Sequence, residues 1–289
     1  MLVLPIVLVV IASVLHAGWN LLLKKCYDKH TFAWLMLIES ALICLPMLAF
    51  SEQTSPPLTG LICAVIGALM GALHFLLLGL AYRLGDLSQV YPLSRGLMPV
   101  FTLAWALLFL GERPSPLGLA GIGLVVVGVF VLHLKEASLR GLVEPLRALK
   151  HRASQLAILL SLVLSTMALV DKVGVSLVDL AIYMPILYTL RPAFLTPYVL
   201  HAKRGLIGAE WRANRWAILM AGAACPINYL MILYVMRTVQ VSYVVALRQL
   251  SVVFGVLMGC LLLGESYGRT RLAGSILIFL GTFLISIAI

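Results

Sequence analysis

Charge is scarce in this sequence, and negative charge is scarcest. Of 289 residues only 11 are Asp or Glu and 21 are Lys or Arg, so charged side chains make up 11% of the chain and apolar ones 62%. A soluble domain is roughly 45–50% apolar and about a quarter charged, because its surface has to be solvated. This composition leaves too little polar surface to do that. The shortage of acids also limits the chemistry. No pair of carboxylates is spaced for acid–base work, and no Walker loop, HExxH or nucleophile elbow occurs, so neither a catalytic residue nor an enzymatic activity is expected. The five cysteines (Cys26, Cys44, Cys63, Cys225 and Cys260) are scattered without a CxxC pair or metal-ligand spacing. They read as small core residues, and no metal or other cofactor is expected.

What the chain has instead is apolar length. Its mean hydropathy is +1.08, and windows of about 20 apolar residues, the length that crosses a bilayer, recur along it. Their limits are 2–23, 31–50, 58–82, 88–110, 116–133, 155–171, 177–200, 215–236, 240–262 and 271–288. The first has neither a basic leader nor a small-residue cleavage site, and reads as a retained helix rather than a signal peptide. The longest break, 134–155, alternates Leu139, Leu142, Val143, Leu146 and Leu149 with Arg140, Arg147 and Lys150, the pattern of a short basic helix on a membrane surface.

The two halves repeat. A shift of 153 residues superposes Arg95 on Arg248, Val100-Phe101 on Val253-Phe254, and Gly111-Glu112 on Gly264-Glu265. The same register places Ala120-Gly121 on Ala273-Gly274 and Gly128 on Gly281. A shift near 148 places Ser13 on Ser161 and Lys24 on Lys172. Five spans per repeat is an odd number, so the second copy enters the membrane from the opposite side, as in many secondary transporters. The expected fold is therefore an all-α membrane protein of ten transmembrane helices in two inverted five-helix repeats. The first repeat covers residues 1–133, a basic connecting loop 134–154, and the second repeat 155–289. Outside the spans, 15 Lys and Arg fall in loops on one side and three (Arg113, Lys172 and Arg237) on the other. Basic loops stay cytoplasmic, which puts both termini outside. The net charge of +10 is thus a topological signal and not a nucleic-acid one.

The stretches GDLSQVYPLSRGLMPVF and LLFLGE in the first half, LRQLSVVFGVLMGCLLLGE in the second, HAGWNLLLKK in the first span and LVDKVGV after the sixth carry a resemblance. Together they resemble the drug/metabolite transporter superfamily, in particular its EamA branch of ten-helix proteins with duplicated halves, and a subgroup sometimes associated with phosphonate utilisation. The resemblance implies a secondary transporter with a central cavity between the halves, lined mainly by spans 1, 3, 4, 6, 8 and 9. It also implies cytoplasmic termini, against which the charge bias of this sequence points outward.

Candidate site residues are the polar ones inside spans. An arginine at mid-membrane costs about 2.5–3.5 kcal/mol and faces a cavity or a partner. Arg95 and Arg248 are each two turns or more into their spans, at matched positions, with Tyr91 on the Arg95 face. They read either as a substrate-anion site or as neutralised structural charges. Ser13, His16, Asn20 and Lys24 form one helix face. His74 shares a face with Gly67 and Gly71, and Asn228 lies beside Tyr229 and Pro226. Arg95, Arg248, Tyr91, His74, Asn228 and Asn20 are the substrate-binding candidates, and His16 and Glu39 the candidates for a coupling proton. Glu112 and Glu265 read as helix-terminal caps, Asp171-Lys172 as interfacial, and Arg191-Pro192 equally as a kink near the interface or a site. The function expected is secondary active transport of a small polar, anionic metabolite by alternating access, in the inner cell membrane. The alternative is an exporter of neutral or amphipathic compounds such as amino acids, with both arginines structural. The expected partners are a small-molecule substrate, the lipid bilayer and a proton. Nucleic acid is excluded by the placement of the arginines in the bilayer, and a homodimer is left open.

Overall fold

The structure is a computed structural model that describes residues 3–84, 87–134, 152–263 and 268–289. The basic helix expected between 134 and 155, Gly264-Glu265 and the Tyr91 side chain lie outside what is described. In chain order the helices are α1 (Val3–Lys25), α2 (Lys29–Cys44), α3 (Leu58–Leu84), α4 (Leu87–Trp105), α5 (Pro116–Leu132) and α6 (Arg152–Leu177). They continue with α7 (Leu180–Ala202), α8 (Ile207–Met236), α9 (Val241–Leu247), α10 (Leu250–Leu263) and α11 (Arg269–Ala288). A 3₁₀ turn over Leu45–Phe50 extends α2, and a π-helical turn over Ala106–Leu110 extends α4. There is no strand among the described residues. Among the described residues, eight spans are long and apolar enough to cross a membrane.

Local chemistry sets the helix ends. The Ser115 hydroxyl accepts from Gly118 N at 3.2 Å, and Pro116 follows at the first helical position of α5, where its missing N–H costs nothing. Gly111, at φ +63°, closes the π turn after α4, a left-handed conformation that glycine adopts without strain. The apolar residues do not all face inward. On α1, Val9, Ala12, Ser13, His16, Trp19 and Leu23 are buried while Leu4, Val7, Ile11 and Val14 are exposed. The outer face of this bundle is therefore apolar and the inner one holds polar groups, the arrangement a lipid solvent selects.

Two differences from expectation concern helix limits. The helix expected over 155–171 runs on to Leu177, which carries Asp171 well inside it. The span expected as one helix over 240–262 is two in series, α9 and α10, broken at Arg248-Gln249. There Gln249 N donates to Ala246 O at 3.0 Å and Ser251 N to Arg248 O at 3.1 Å, tight i→i+3 bonds in place of helical ones. Neither proline nor glycine marks that break in the sequence.

The halves interleave. Helix α1 packs on α8 and α10, α6 packs on α3 and α4, and α2 and α3 both pack on α7. The closest approach is between α5 and α11. A Cβ placed on Gly121 would stand 2.8 Å from Gly281 O, one on Gly281 2.6 Å from Gly121 O, and one on Gly128 2.9 Å from Gly274 O. Glycine is needed here because a backbone, not a movable side chain, occupies the space. Gly128→Val should therefore lower thermal stability in detergent by about 1–3 kcal/mol. Gly123→Val, on the same helix with nothing within 4 Å, should leave it unchanged; equal effects would show that the close approach is absent.

A second tie joins the α1–α2 turn to α7 and α8. Asp28 caps α2 through Thr31 N at 3.0 Å and pairs with Lys203 at 2.6 Å, while its backbone N–H donates to the fully buried Glu210 at 2.6 Å. Partial burial pushes the Asp28 carboxyl upward, but the hydrogen bonds from Lys203 and Thr31 outweigh it and hold the group below its ordinary value. A depressed carboxylate contributes stability that is complete above its unfolded value near pH ~4 and is lost as pH falls through its folded value. Unfolding at pH 7 and pH 3 should show Asp28→Asn destabilising by about 1–2 kcal/mol at the higher pH and by much less at the lower. A difference that does not change with pH would contradict this assignment.

Candidate functional site

The residues that apolar composition makes most costly come together. Arg95, in mid-α4, and Arg248, at the break between α9 and α10, reach the same side chain from different repeats. Arg95 Nη2 lies 3.1 Å from His16 Nε2, and Arg248 Nη2 lies 3.5 Å from His16 Nδ1. His16 is only 5% exposed, and its ring stands edge-on to Trp19 at 4.9 Å. Asn20, one turn further along α1, donates to His16 O at 2.7 Å. A guanidinium only donates, and a neutral imidazole accepts at one nitrogen. His16 can thus satisfy one arginine, and the shorter contact assigns it to Arg95. Arg248 is left with donors unspent, and its Nε is buried without a hydrogen-bond partner.

Around this pair lies a second layer. His74 of α3 packs on Phe75 at 4.9 Å, and Phe75 in turn meets Trp19 beside His16. Tyr229 of α8 presents its ring to two guanidinium carbons, Arg191 at 4.8 Å and Arg248 at 5.5 Å, a cation–π arrangement. Tyr188 adds a third contact, 5.1 Å from Arg191. Asn228 is buried and donates to Cys225 O at 2.7 Å, with its own Oδ1 unpartnered.

One reading of the sequence is corrected here. Asp171 is not interfacial. It is fully buried, and its two oxygens accept from Tyr183 at 2.8 Å and from the Tyr229 hydroxyl. Successive helix residues point about 100° apart, so the neighbouring Lys172 leaves in another direction and donates to Met236 O and Val239 O at the end of α8. Arg191, read equally as a kink near the interface or a site, is 5% exposed and stands in the cluster.

Glu39 lies elsewhere. It packs against Gly222 of α8, where Ser40 donates to Gly222 O at 2.8 Å, and its Oε2 is buried without a partner. No ion pair joins it to an arginine among the described residues. Glu112 is a cap, as expected, but of the other repeat. It accepts from Val241 N and Ser242 Oγ, both at 2.6 Å, at the start of α9. A cavity of 280 Å³ opens beside it, lined by Glu112, Lys172, Ser176, Thr238 and Gln240 among others.

An apolar-faced helical bundle with three arginines gathered between its helices defines a multi-pass membrane protein. The model of the EamA-like transporter family matches residues 3–134 and again 152–287, and the chain belongs to that family. It is thus a membrane transporter of small molecules built from two repeats. No curated protein matches it. Among 29 matching chains of solved structures, one titled "Crystal structure of protein" is similar at a TM-score of 0.75 and 15% identity. The match covers 97% of this chain and 95% of that one; at such identity the likeness shows the fold alone.

Proposed function

We propose that this transporter is a secondary active carrier of a small anionic metabolite, working by alternating access between two inverted repeats of five membrane-crossing helices each. The repeats would comprise residues 1–133 and 155–289, joined by the basic stretch 134–154. The observation that carries the substrate class is the convergence of Arg95 and Arg248 on His16. Two cations drawn to one neutral ring, with donors left over, make a site that a carboxylate or phosphonate completes. The inversion is supported by the reciprocal Gly121–Gly281 contact. Under the 153-residue register Gly121 corresponds to Gly274 and Gly128 to Gly281, and the helices run so that each glycine meets the counterpart of the other. That is how a two-fold axis in the membrane plane pairs equivalent helices. Tyr91, Asn20, His74 and Asn228 would complete the substrate's surroundings.

For a coupling proton, Glu39 has the stronger case of the two candidates. Protonating His16 would remove the acceptor that Arg95 uses, whereas a proton on Glu39 neutralises a carboxyl that has no cation beside it. The membrane is proposed to be the inner cell membrane. The bias of fifteen basic loop residues against three favours extracytoplasmic termini.

Lysine at either arginine keeps the charge and loses the planar fork. Arg95→Lys and Arg248→Lys should fold in proteoliposomes yet take up anions with affinity reduced about tenfold or more, the equivalent of one good hydrogen bond to a charge. Uptake equal to the parent would overturn the anion site. In the same assay Glu39→Gln should abolish the response to an imposed pH gradient, and a retained response would remove Glu39 from coupling. For orientation, a periplasm-active reporter fused after Ile289 should be active; activity only of a cytoplasmic reporter would reverse the assignment.

A further inference from the structure

The strangest feature of the cluster is a pair that does not form. Arg191 and Asp171 are both buried and both lie against Tyr229, yet no ion pair joins them among the described residues. Asp171 gives its oxygens to Tyr183 and Tyr229, while Arg191 Nε and Nη2 have no hydrogen-bond partner. A buried guanidinium beside a buried carboxylate would ordinarily close onto it in a two-pronged bond. Here two tyrosines hold the carboxylate away, and two glycines hold the space. A Cβ on Gly67 would stand 2.6 Å from Asp171 Oδ1, and one on Gly71 2.5 Å from Arg191 Nε. Both glycines lie on the α3 face that carries His74.

We propose that Arg191 forms a second anion subsite, and that the transported molecule is a small anion with two negatively charged groups, one on Arg191 and the other on Arg95 and Arg248. This deepens the anionic reading above and rests on it. The two subsites share a wall, since the guanidinium carbons of Arg191 and Arg248 face the same Tyr229 ring at 4.8 and 5.5 Å. Two guanidinium groups this near one ring call for a small ligand with its acidic groups on a short skeleton. The two unpartnered nitrogens of Arg191 call for an acceptor of their own, beyond the one that completes the Arg95 and Arg248 site, and a ligand with two acidic groups supplies both. A dicarboxylate, or a carboxylate joined to a phosphonate, fits this chemistry.

The test uses the full chain, purified and reconstituted, with matched pairs of probes at neutral pH: acetate and malonate, propionate and succinate, methylphosphonate and phosphonoacetate. In every pair that binds, the doubly charged member should bind about tenfold tighter or better. Arg191→Gln should erase that preference while leaving the affinity for the singly charged member nearly unchanged. Arg191→Lys, which keeps the charge, should retain part of it and serves if the glutamine variant does not fold. A merely structural Arg191 would weaken both members alike, and that result overturns the proposal. So does a parent protein that binds single and double charges equally; if Arg248→Gln then abolishes both, the anionic reading stands and only the second subsite falls. Should no probe of either charge bind, both readings fall.

Discussion

A guanidinium group cannot be left bare inside a bundle whose outer face is apolar, and the packing around α1, α3 and α8 follows from where three of them are held. Each arginine is partnered differently. Arg95 has the lone pair of His16, Arg248 has the face of Tyr229, and Arg191 has two tyrosine rings. Neither Arg191 nor Arg248 has a carboxylate within ion-pairing distance among the described residues. Aromatic faces and a neutral imidazole temper a cation without cancelling its field. A salt-bridged core would have been equally soluble in the fold but inert towards a ligand, because the same charges would already be spent.

Holding these groups requires space that ordinary helix packing does not provide. On α3, Gly67 and Gly71 give their side-chain volume to Asp171 and Arg191; on α8, Gly222 gives it to Glu39. At the periphery, the glycines of α5 and α11 bring backbone against backbone. In a membrane, helices gain little by excluding lipid from one another, and such close contact is where association energy comes from. The break at Arg248-Gln249 belongs to the same economy. Ending α9 there turns Arg248 to face His16 from a tight turn instead of from a regular helix, and Glu112 supplies the acceptor that the start of α9 requires.

Much of this was legible in the sequence, and the reasons are particular. Arg95 and Arg248 stood out because a permanent charge in an apolar run is costly and because the same register produced it twice. His16 and His74 were legible from helical spacing against serine, asparagine and glycine. Asp171 was misread because hydropathy ends its span there, whereas the helix continues to Leu177 on the strength of a tertiary neighbour; no local signal carries that. The break in the ninth span was invisible for a similar reason. Leu247-Arg248-Gln249-Leu250 contains no helix breaker, and the turn is imposed by what Arg248 and the capped start of α9 reach. Arg191 reads equally as a kink or a site because it directly precedes a proline, and its packing against the Tyr229 ring comes from another helix, which no local signal carries. Its counterpart under the 153-residue register is Ile38, so the cluster is not symmetric between the repeats.

That asymmetry bears on how the halves can move. At one end of the bundle Glu112 of the first repeat caps α9 of the second, and Gln53 bridges to Leu177 O and Asp179 N. At the other, Asp28 joins Lys203 and Glu210. Each of these ties is a hydrogen bond or ion pair near a helix end, with a net worth on the order of 1 kcal/mol. The central contacts are of another kind. Asp171 is fully buried under its two tyrosines, and uncovering it would cost several times as much. Under the alternating access proposed above, the cheaper ties at the ends would be the ones to exchange, and the unpartnered nitrogens of Arg191 and Arg248 lie beside Tyr229 in the part that stays.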